Sequence, residues 1–304
     1  MQVARKIRRG PFFGVIAVVI SACSQGVPLA PAYGASSLLA KSQALLYVSS
    51  YYGYLKIYTF PQGKAAGSIP ISGVPEELCS DKAGDIFVPE SYGQIVVEYA
   101  HGGTEPIATF PDHHTPYGCA VDPTTGNLAV TNSNKDIVVF TRTLAPPALY
   151  SNSALESYYS TSYDDQSNLF AIAEPFSGGS GLYEVKKGSS TIHQVSVPFT
   201  ICCPNPIRWD GTYLAVAGSH QSNNAIIYRL KISDYKATVE GKLTLDGGAS
   251  YVSQIWIDGK NLITTADYSE DIGFWKYPAG GAAWKTLTNA GPDINGITVS
   301  NPSK

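Results

Sequence analysis

The chain has 304 residues, enough for a sizeable core, and charged residues make up only 15% of them. Its 29 glycines and 20 tyrosines are typical of a turn-rich, extracellular all-β protein rather than a helical one. The formal net charge of −3 argues against a protein that binds nucleic acid through bulk positive charge.

The amino terminus has the pattern of an export signal. Four basic residues within the first nine positions precede the apolar stretch Phe12–Ile20, which is too short to remain as a membrane-spanning helix. The following Ile20-Ser-Ala-Cys23 resembles the lipobox of bacterial lipoproteins, which implies lipidation of Cys23. The alternative is an ordinary secretory signal with an unrelated cysteine.

Three segments follow from this interpretation. Residues 1–22 are predicted to be a lipoprotein signal peptide, residues 23–43 a flexible tether that carries the lipid on Cys23, and residues 44–304 the folded domain. Removal of the signal takes away four basic residues and no acidic ones, so the formal net charge falls from −3 to −7. The predicted location is therefore outside the cytoplasm, on a lipid anchor in the cell membrane or the outer membrane.

One repeated unit extends through the folded domain, in which an Asp-containing turn leads into a short apolar strand. Five copies are continuous and span residues 79–88, 121–130, 163–172, 209–216 and 257–263. The sixth is split between the chain ends, with Gly296–Ser300 at one end and Leu45–Val48 at the other. The apolar strands begin 40 to 49 residues apart, a period that is typical of a propeller.

Each unit also contains a second strand rich in β-branched and aromatic residues. The copies are Leu55–Phe60, Ile95–Tyr99, Ile137–Phe140, Gly181–Val185, Ala225–Arg229 and Gly273–Tyr277. A weaker third strand and a strand that ends at the recurrent Asp bring the number to four per unit. The prediction is an all-β, six-bladed β-propeller of four-stranded antiparallel blades, in which the C-terminal strand completes the first blade and closes the ring.

The recurrent aspartates have a structural explanation. Asp81, Asp122, Asp164, Asp210 and Asp258 each open a short turn, where an Asp side chain can accept hydrogen bonds from backbone amides two residues later. The spacing of a calcium-binding loop is absent. These residues are therefore predicted to stabilise turns rather than to bind metal.

Segments such as Pro116–Asn132 resemble the blades of bacterial NHL-type and gluconolactonase/regucalcin-like six-bladed propellers. The resemblance covers about residues 45–300 and lies in the blade pattern, so it implies the fold more strongly than an activity. In gluconolactonase-like enzymes one divalent ion is held by a Glu, Asn residues and an Asp, and it polarises a lactone carbonyl and activates water. The sequence motifs that surround those ligands in the family are absent from this chain.

Ligands of propellers usually lie at one mouth of the central channel, where the innermost strands begin. The residues predicted to lie at this mouth are Glu76, Glu77, Tyr117, Asn205, Arg208, Gln254 and Asn295. If the resemblance extends to the metal, Glu77 (or Glu76), Asn205 and Asn295 (or Asp293) would hold a divalent cation such as calcium. Arg208 could instead bind a carboxylate or pair with Glu77.

The sequence is compatible with two functions. The first is a non-catalytic binding module without a resident cofactor, a monomer whose partner is an extracytoplasmic protein or a glycan. The lipid anchor, the irregular channel mouth and the missing catalytic motifs favour it, and no catalytic residue is assigned. The alternative is a metal-dependent, lactonase-like hydrolase.

The cysteines complete the predictions. With Cys23 assigned to lipid, Cys79, Cys119, Cys202 and Cys203 remain, and four cysteines in an oxidising compartment allow three pairings. Cys79 and Cys119 occupy nearly equivalent positions in neighbouring units, so a bond between them is compatible with the repeat. Cys202 and Cys203 are adjacent, and a bond between them would need a strained peptide, so free thiols or other pairings are also compatible with the sequence.

Overall fold

A computed structural model describes residues 42–142, 145–201, 205–218, 224–247, 252–259, 261–266 and 270–303, with the backbone alone at 262–266. Cys23, Cys202, Cys203, the predicted signal peptide and nearly all of the predicted tether lie outside these ranges. Within them no helix has the length and apolar character needed to cross a membrane.

The described residues form 24 strands in five hydrogen-bonded sheets. The sheet that joins the two chain ends contains β24 (Ile294–Ser300), β1 (Leu45–Ser50), β2 (Tyr54–Thr59) and β3 (Ala65–Pro70). The next contains β4 (Cys79–Ser80), β5 (Ile86–Glu90), β6 (Ile95–Tyr99) and β7 (Pro106–Pro111). The third contains β8 (Pro116–Val121), β9 (Leu128–Asn132), β10 (Ile137–Phe140) and β11 (Ala148–Tyr150).

The remaining strands form one sheet of four and one of eight. The sheet of four contains β12 (Leu155–Tyr163), β13 (Leu169–Pro175), β14 (Gly181–Val185) and β15 (His193–Val195). The first half of the larger sheet contains β16 (Ile207–Trp209), β17 (Leu214–Ala217), β18 (Ala225–Ser233) and β19 (Lys236–Asp246). Its second half contains β20 (Val252–Asp258), β21 (Asn261–Ala266), β22 (Ile272–Lys276) and β23 (Gly280–Leu287).

The count of five sheets differs from the six blades that the sequence predicts. The cause is the length of β19, whose end pairs in parallel with β23 through Leu245–Gly281 and Asp246–Ala282. Glycine permits this approach, because a Cβ atom at Gly280 would lie 2.5 Å from the backbone oxygen of Thr244. Within each half the four strands still pair antiparallel in chain order.

The first strand of each four-stranded unit lies innermost. These strands, β24, β4, β8, β12, β16 and β20, each contact the next in this order, and β20 contacts β24. Apolar clusters fill the space between neighbouring sheets. In one of them Tyr47 of β1 and Val88 of β5 are buried together, which is the face-to-face packing of propeller blades. The fold is therefore an all-β propeller with four-stranded antiparallel blades.

The predicted strands agree closely with the observed ones. β6, β10 and β14 have the predicted bounds, and β2 and β22 begin and end one residue earlier than predicted. β18 begins as predicted and continues four residues further, to Ser233. β-Branched and aromatic residues form strands here because alternate side chains can be buried between neighbouring sheets.

The turn role of the aspartates is confirmed at four positions. Oδ1 of Asp81, Asp122, Asp164 and Asp210 accepts a hydrogen bond from the backbone amide two residues later, at distances of 2.8–2.9 Å. At Asp81 and Asp164 the same oxygen also accepts the amide four residues later. The turn after Asp258 includes residue 260, which lies outside the described residues.

A disulfide joins two adjacent inner strands. Cys79 of β4 and Cys119 of β8 are bonded, with their Cα atoms 5.6 Å apart, and both side chains are buried in the core between the two sheets. The bond crosslinks neighbouring blades at their innermost strands.

Candidate functional site

The two ends of the inner strands present different chemistry. We call the end at which the inner strands begin the start face, and the end at which they lead into the Asp turns the turn face. Of the seven residues predicted to lie together at one mouth, six belong to the start face. Arg208 lies further along its strand and lines a cavity of the turn face.

Glu77 is a deeply buried acid of the start face. Its side chain is 3% exposed and is hydrogen-bonded to the Ser160 side chain. The fit against β8 is close, because a Cβ atom at Gly118 would lie 3.2 Å from Glu77 Oε2. Burial raises the pKa of Glu77 to about 8; the Ser160 bond opposes this shift, and the charge of Glu76 adds to it. The carboxyl is therefore mostly protonated at neutral pH and can donate a hydrogen bond.

Glu76 lies beside it, closer to solvent. Burial raises the pKa of Glu76 to about 7, and a hydrogen bond with the Ser91 side chain opposes the shift. Its backbone oxygen accepts a hydrogen bond from Ser49 Oγ at 2.8 Å. Two neighbouring carboxyls that titrate near neutral pH make the charge of the start face sensitive to pH.

Gln254 and Asn295, two of the predicted ligand-binding residues, make contacts that hold the scaffold. Gln254 Oε1 accepts hydrogen bonds from the amides of Leu78 and Ile297, at 3.1 and 2.7 Å, and its Nε2 donates to Leu78 O at 2.7 Å. Asn295 Nδ2 donates to Pro75 O at 2.9 Å. Gln254 thus connects three neighbouring blades, so its replacement should affect stability before it affects binding.

Tyr117 and Asn205 complete the predicted set. The Tyr117 ring packs edge-on against Tyr159, with centroids 5.3 Å apart, and Tyr159 Oη donates to Glu174 at 2.9 Å. Asn205 is 2% exposed, and its Nδ2 has no hydrogen-bond partner among the described residues. A cation held by Glu77, Asn205 and Asn295 would have to displace the proton of Glu77, and this metal site stays a prediction.

Three exposed tyrosines of the start face were not expected from the sequence, which favours the core for most aromatics. Tyr51 and Tyr52 lie in the turn between β1 and β2, Tyr92 lies in the turn between β5 and β6, and their exposures are 48%, 64% and 76%. The hydroxyls of Tyr51 and Tyr92 are 3.4 Å apart. We call these three residues the tyrosine patch. The run Tyr51-Tyr52-Gly53 could have indicated part of this patch. Gly53 adopts a φ of +77°, which is typical of a glycine in a tight turn, and residues in such turns are often exposed.

A cluster of three acidic side chains was also not predicted from the sequence. Ligand atoms of Asp81, Asp85 and Glu98 lie within 4.8 Å of one another, close enough to hold a metal ion. Arg142, however, donates from Nη2 to Asp81 at 2.8 Å and from Nη1 to Glu98 at 2.9 Å. The guanidinium compensates two of the three carboxylates, so the cluster is explained as a contact between blades.

The predicted pairing of Arg208 with Glu77 does not occur. No ion pair among the described residues includes Arg208, and its guanidinium carbon lies 3.6 Å from the ring centroid of Trp256. Arg208 and Trp256 line a cavity of about 630 Å³ on the turn face, which is large enough for a small organic molecule.

Comparison with known proteins identifies the fold and no family. No protein-family model matches the chain, and no curated protein matches it. A chain in the crystal structure of a nidogen/laminin complex is similar, with a TM-score of 0.69, 14% identity, and coverage of 86% of this chain and 99% of that chain. A Bacteroides caccae protein of unknown function has a TM-score of 0.62 at 12% identity, with 85% and 99% covered.

A third similar structure carries the fold in its name. The β-propeller domain of Myceliophteria thermophila Cps50 (Swd1) has a TM-score of 0.57 at 13% identity, with 82% of this chain and 84% of that chain covered. At these identities the likeness shows the β-propeller fold alone, because one fold can carry many unrelated functions.

Proposed function

We propose that this protein is an exported β-propeller lipoprotein, anchored through Cys23, that binds a partner protein and catalyses no reaction. The observation that carries the proposal is the tyrosine patch. Tyrosines combine apolar area with a polar hydroxyl at low entropic cost, and they are enriched in the centres of protein interfaces. No catalytic group, resident cofactor or nucleic-acid partner is assigned, and the chain is proposed to be a monomer.

We further propose that the two halves of the eight-stranded sheet act as two blades, which makes six in all, and that β24 closes the ring. Three observations support this arrangement. The inner strands of the six units contact one another in a closed order, and β24 pairs with β1 from Leu45–Ser300 to Ser49–Gly296. The parallel contact between β19 and β23 involves only two residue pairs at the ends of these strands.

A protein is the partner that the comparisons favour over a glycan. One of the similar structures is that of a nidogen/laminin complex, an assembly of two proteins. The buried acids Glu76 and Glu77 lie on the same face as the tyrosine patch, and the pKa of Tyr51 is raised by its hydrogen bond to Tyr92 and by the charges of Tyr92 and Glu76. A partner with aromatic side chains would fit the tyrosine patch.

Replacement of the tyrosine patch should abolish partner capture without unfolding the propeller. We expect Tyr51→Ser with Tyr92→Ser to reduce recovery of a crosslinked partner at least tenfold, because exposed tyrosines contribute contact area and not core. Crosslinking of intact cells followed by quantitative mass spectrometry measures this. The matched control is Leu149→Ser, another exposed apolar side chain, at 63% exposure on outer strand β11. Equal recovery from both variants would contradict the proposal, and recovery that glycosidase treatment removes would indicate a glycan.

The proposed lipid anchor at Cys23 can be tested separately from partner binding. The mature amino terminus of the native protein should be a lipid-modified Cys23, and the protein should sediment with membranes. Intact-mass measurement of the purified protein checks the modification, and Cys23→Ala should release the chain into the soluble fraction. An unmodified amino terminus at Ser24 or Gln25 would refute the anchor. The disulfide between Cys79 and Cys119 supports an oxidising, extracytoplasmic compartment.

A further inference from the structure

Arg208 differs from the other arginines that line the inter-blade spaces. Arg142 pairs with Asp81 and Glu98, and Arg229 pairs with Asp210 at 2.8 Å. Arg208 is half-buried and makes no hydrogen bond or ion pair with any described residue. A guanidinium removed from water without a counter-ion is costly, so proteins rarely keep one that has no partner.

The Arg208 side chain is held in one orientation. Its guanidinium stacks 3.6 Å from the ring centroid of Trp256, and that tryptophan is itself 6% exposed. Stacking uses the flat face of the guanidinium and leaves the N–H groups at its edge without partners. Burial lowers the pKa of Arg208 to about 10, so the group is still cationic at neutral pH. The structure thus presents a fixed, charged fork of donors.

The cavity next to this fork offers further suitable contacts. Its volume is about 630 Å³, and the residues that line it beside Arg208 include Ala83, Pro123 and Trp256. A cation without a counter-ion and apolar wall residues together match a small molecule with one anionic group and an apolar body.

Three carboxylates line the same cavity, and none of them forms an ion pair with Arg208. Asp165 is exposed to solvent, and the other two have partners of their own. Asp81 is paired with Arg142. Asp122 accepts hydrogen bonds from the Thr124 amide at 2.8 Å and from the Thr125 hydroxyl at 2.6 Å. Asp81 is therefore used in a contact between blades and Asp122 in its own turn. The anion that Arg208 lacks would come from a ligand.

We propose that the turn-face cavity binds a small organic carboxylate, with the Arg208 guanidinium donating two parallel hydrogen bonds to the carboxylate oxygens. A planar carboxylate matches the exposed edge of a stacked guanidinium. Lys82 also lines the cavity but is exposed to solvent, which leaves Arg208 as the half-buried cation. One such charge matches a carboxylate monoanion better than the double charge of phosphate. This site lies on the opposite face from the tyrosine patch, so it goes beyond the proposed partner binding and does not depend on it.

Calorimetric titration of the purified protein with acetate, benzoate and succinate, and with phosphate and chloride for comparison, tests the proposal. At least one carboxylate should bind saturably, at least tenfold more tightly than phosphate or chloride. Arg208→Met should weaken that binding at least tenfold, and Arg208→Lys should weaken it less, because lysine keeps the charge and loses the fork. The matched control Lys231→Met removes an exposed cation of β18 and should leave the affinity unchanged.

Thermal melting separates a binding role of Arg208 from a structural one. Without ligand, Arg208→Met should melt no lower than the wild type, because an uncompensated cation is removed and the apolar stem can still pack on Trp256. The carboxylate should raise the melting temperature of the wild type and not that of the variant. The proposal is overturned if no carboxylate binds saturably, if phosphate binds as tightly, or if Arg208→Met keeps the wild-type affinity. If the Met variant fails to fold, wild-type affinity in Arg208→Lys would likewise overturn the bidentate contact.

Discussion

Deletion of residues 296–304 is expected to abolish the cooperative unfolding of the domain rather than to lower its midpoint by a few degrees. The deletion removes most of β24, which pairs with β1 from Leu45–Ser300 to Ser49–Gly296 and contacts the inner strands β20 and β4. Its loss would expose the edge of β1, whose six residues are all buried. An exposed edge strand of this kind is prone to aggregate.

The energies involved justify so large an effect. Ile297 and Val299 are at most 1% exposed, and a fully buried side chain of this size contributes about 1.5–3 kcal/mol. The side chains of β1 would lose a comparable contact area, and the ladder hydrogen bonds would be lost as well. The sum approaches the typical free energy of unfolding of a whole domain, about 5–15 kcal/mol.

Calorimetry and near-ultraviolet circular dichroism measure the outcome. The matched control is deletion of residues 302–304, which lie beyond β24 and should leave the melting temperature within about 2 °C, because small changes outside the core cost little. A milder variant, Ile297→Ala, should lower the free energy of unfolding by about 2–5 kcal/mol. If the chain without residues 296–304 melted as the wild type does, β24 would not be required for ring closure.

Replacement of Glu77 by Gln is expected to stabilise the protein above neutral pH and to flatten the dependence of its stability on pH. The pKa of Glu77 is about 8 in the folded state, compared with an ordinary value of 4.5, because the carboxyl is buried. Between these two values the folded protein holds a proton that the unfolded chain has released. The free energy of unfolding therefore falls as the pH rises through this window, and the loss is complete above pH 8.

The expected size follows from about 1.4 kcal/mol for each unit of pKa difference, which makes the effect of order 3–5 kcal/mol at pH 9. A Gln side chain has nearly the same shape and can still bond to Ser160, but it carries no charge at any pH. The two proteins should thus have similar stability at pH 5 and diverge as the pH is raised.

Urea unfolding at pH 5, 7 and 9 checks this expectation. Glu76→Gln should show a smaller change with the same sign, because the pKa of Glu76 is raised only to about 7. The matched control is Glu156→Gln, which removes an exposed carboxylate of β12 and should leave the pH profile unchanged. Parallel profiles for Glu77→Gln and the wild type would show that the Glu77 carboxyl is solvated or compensated by a cation.

The candidate site was only partly predictable. Glu76, Glu77, Tyr117, Asn205, Gln254 and Asn295 do lie where inner strands begin, because counting from the recurrent Asp locates these positions within their strands. Their roles were not visible in the sequence. Gln254 bonds to the backbones of two neighbouring blades, and such contacts depend on the distance between inner strands that are far apart in the chain.

The contacts of Arg208 were likewise not predictable from the sequence. Its neighbour Trp209 was visible in the sequence, and a pairing with Glu77 was a reasonable expectation. The structure instead stacks Arg208 on Trp256, 48 residues later in the chain, and leaves its edge toward a cavity. Only the packing of β16 against β20 brings these two residues together, and no local pattern encodes that contact.

The sequence by itself determined the strands, their order in each unit and the turns that join them. These features depend on local physics: side chains alternate along a strand, β-branched and aromatic residues suit a half-buried pleat, and an Asp can bond to amides two residues away. The tertiary structure alone decided which strands meet across blades, which tyrosines stay exposed and which charges lack partners. Those outcomes depend on surfaces that exist only once distant segments pack, as in the contact of β19 with β23 that joins two predicted blades into one sheet.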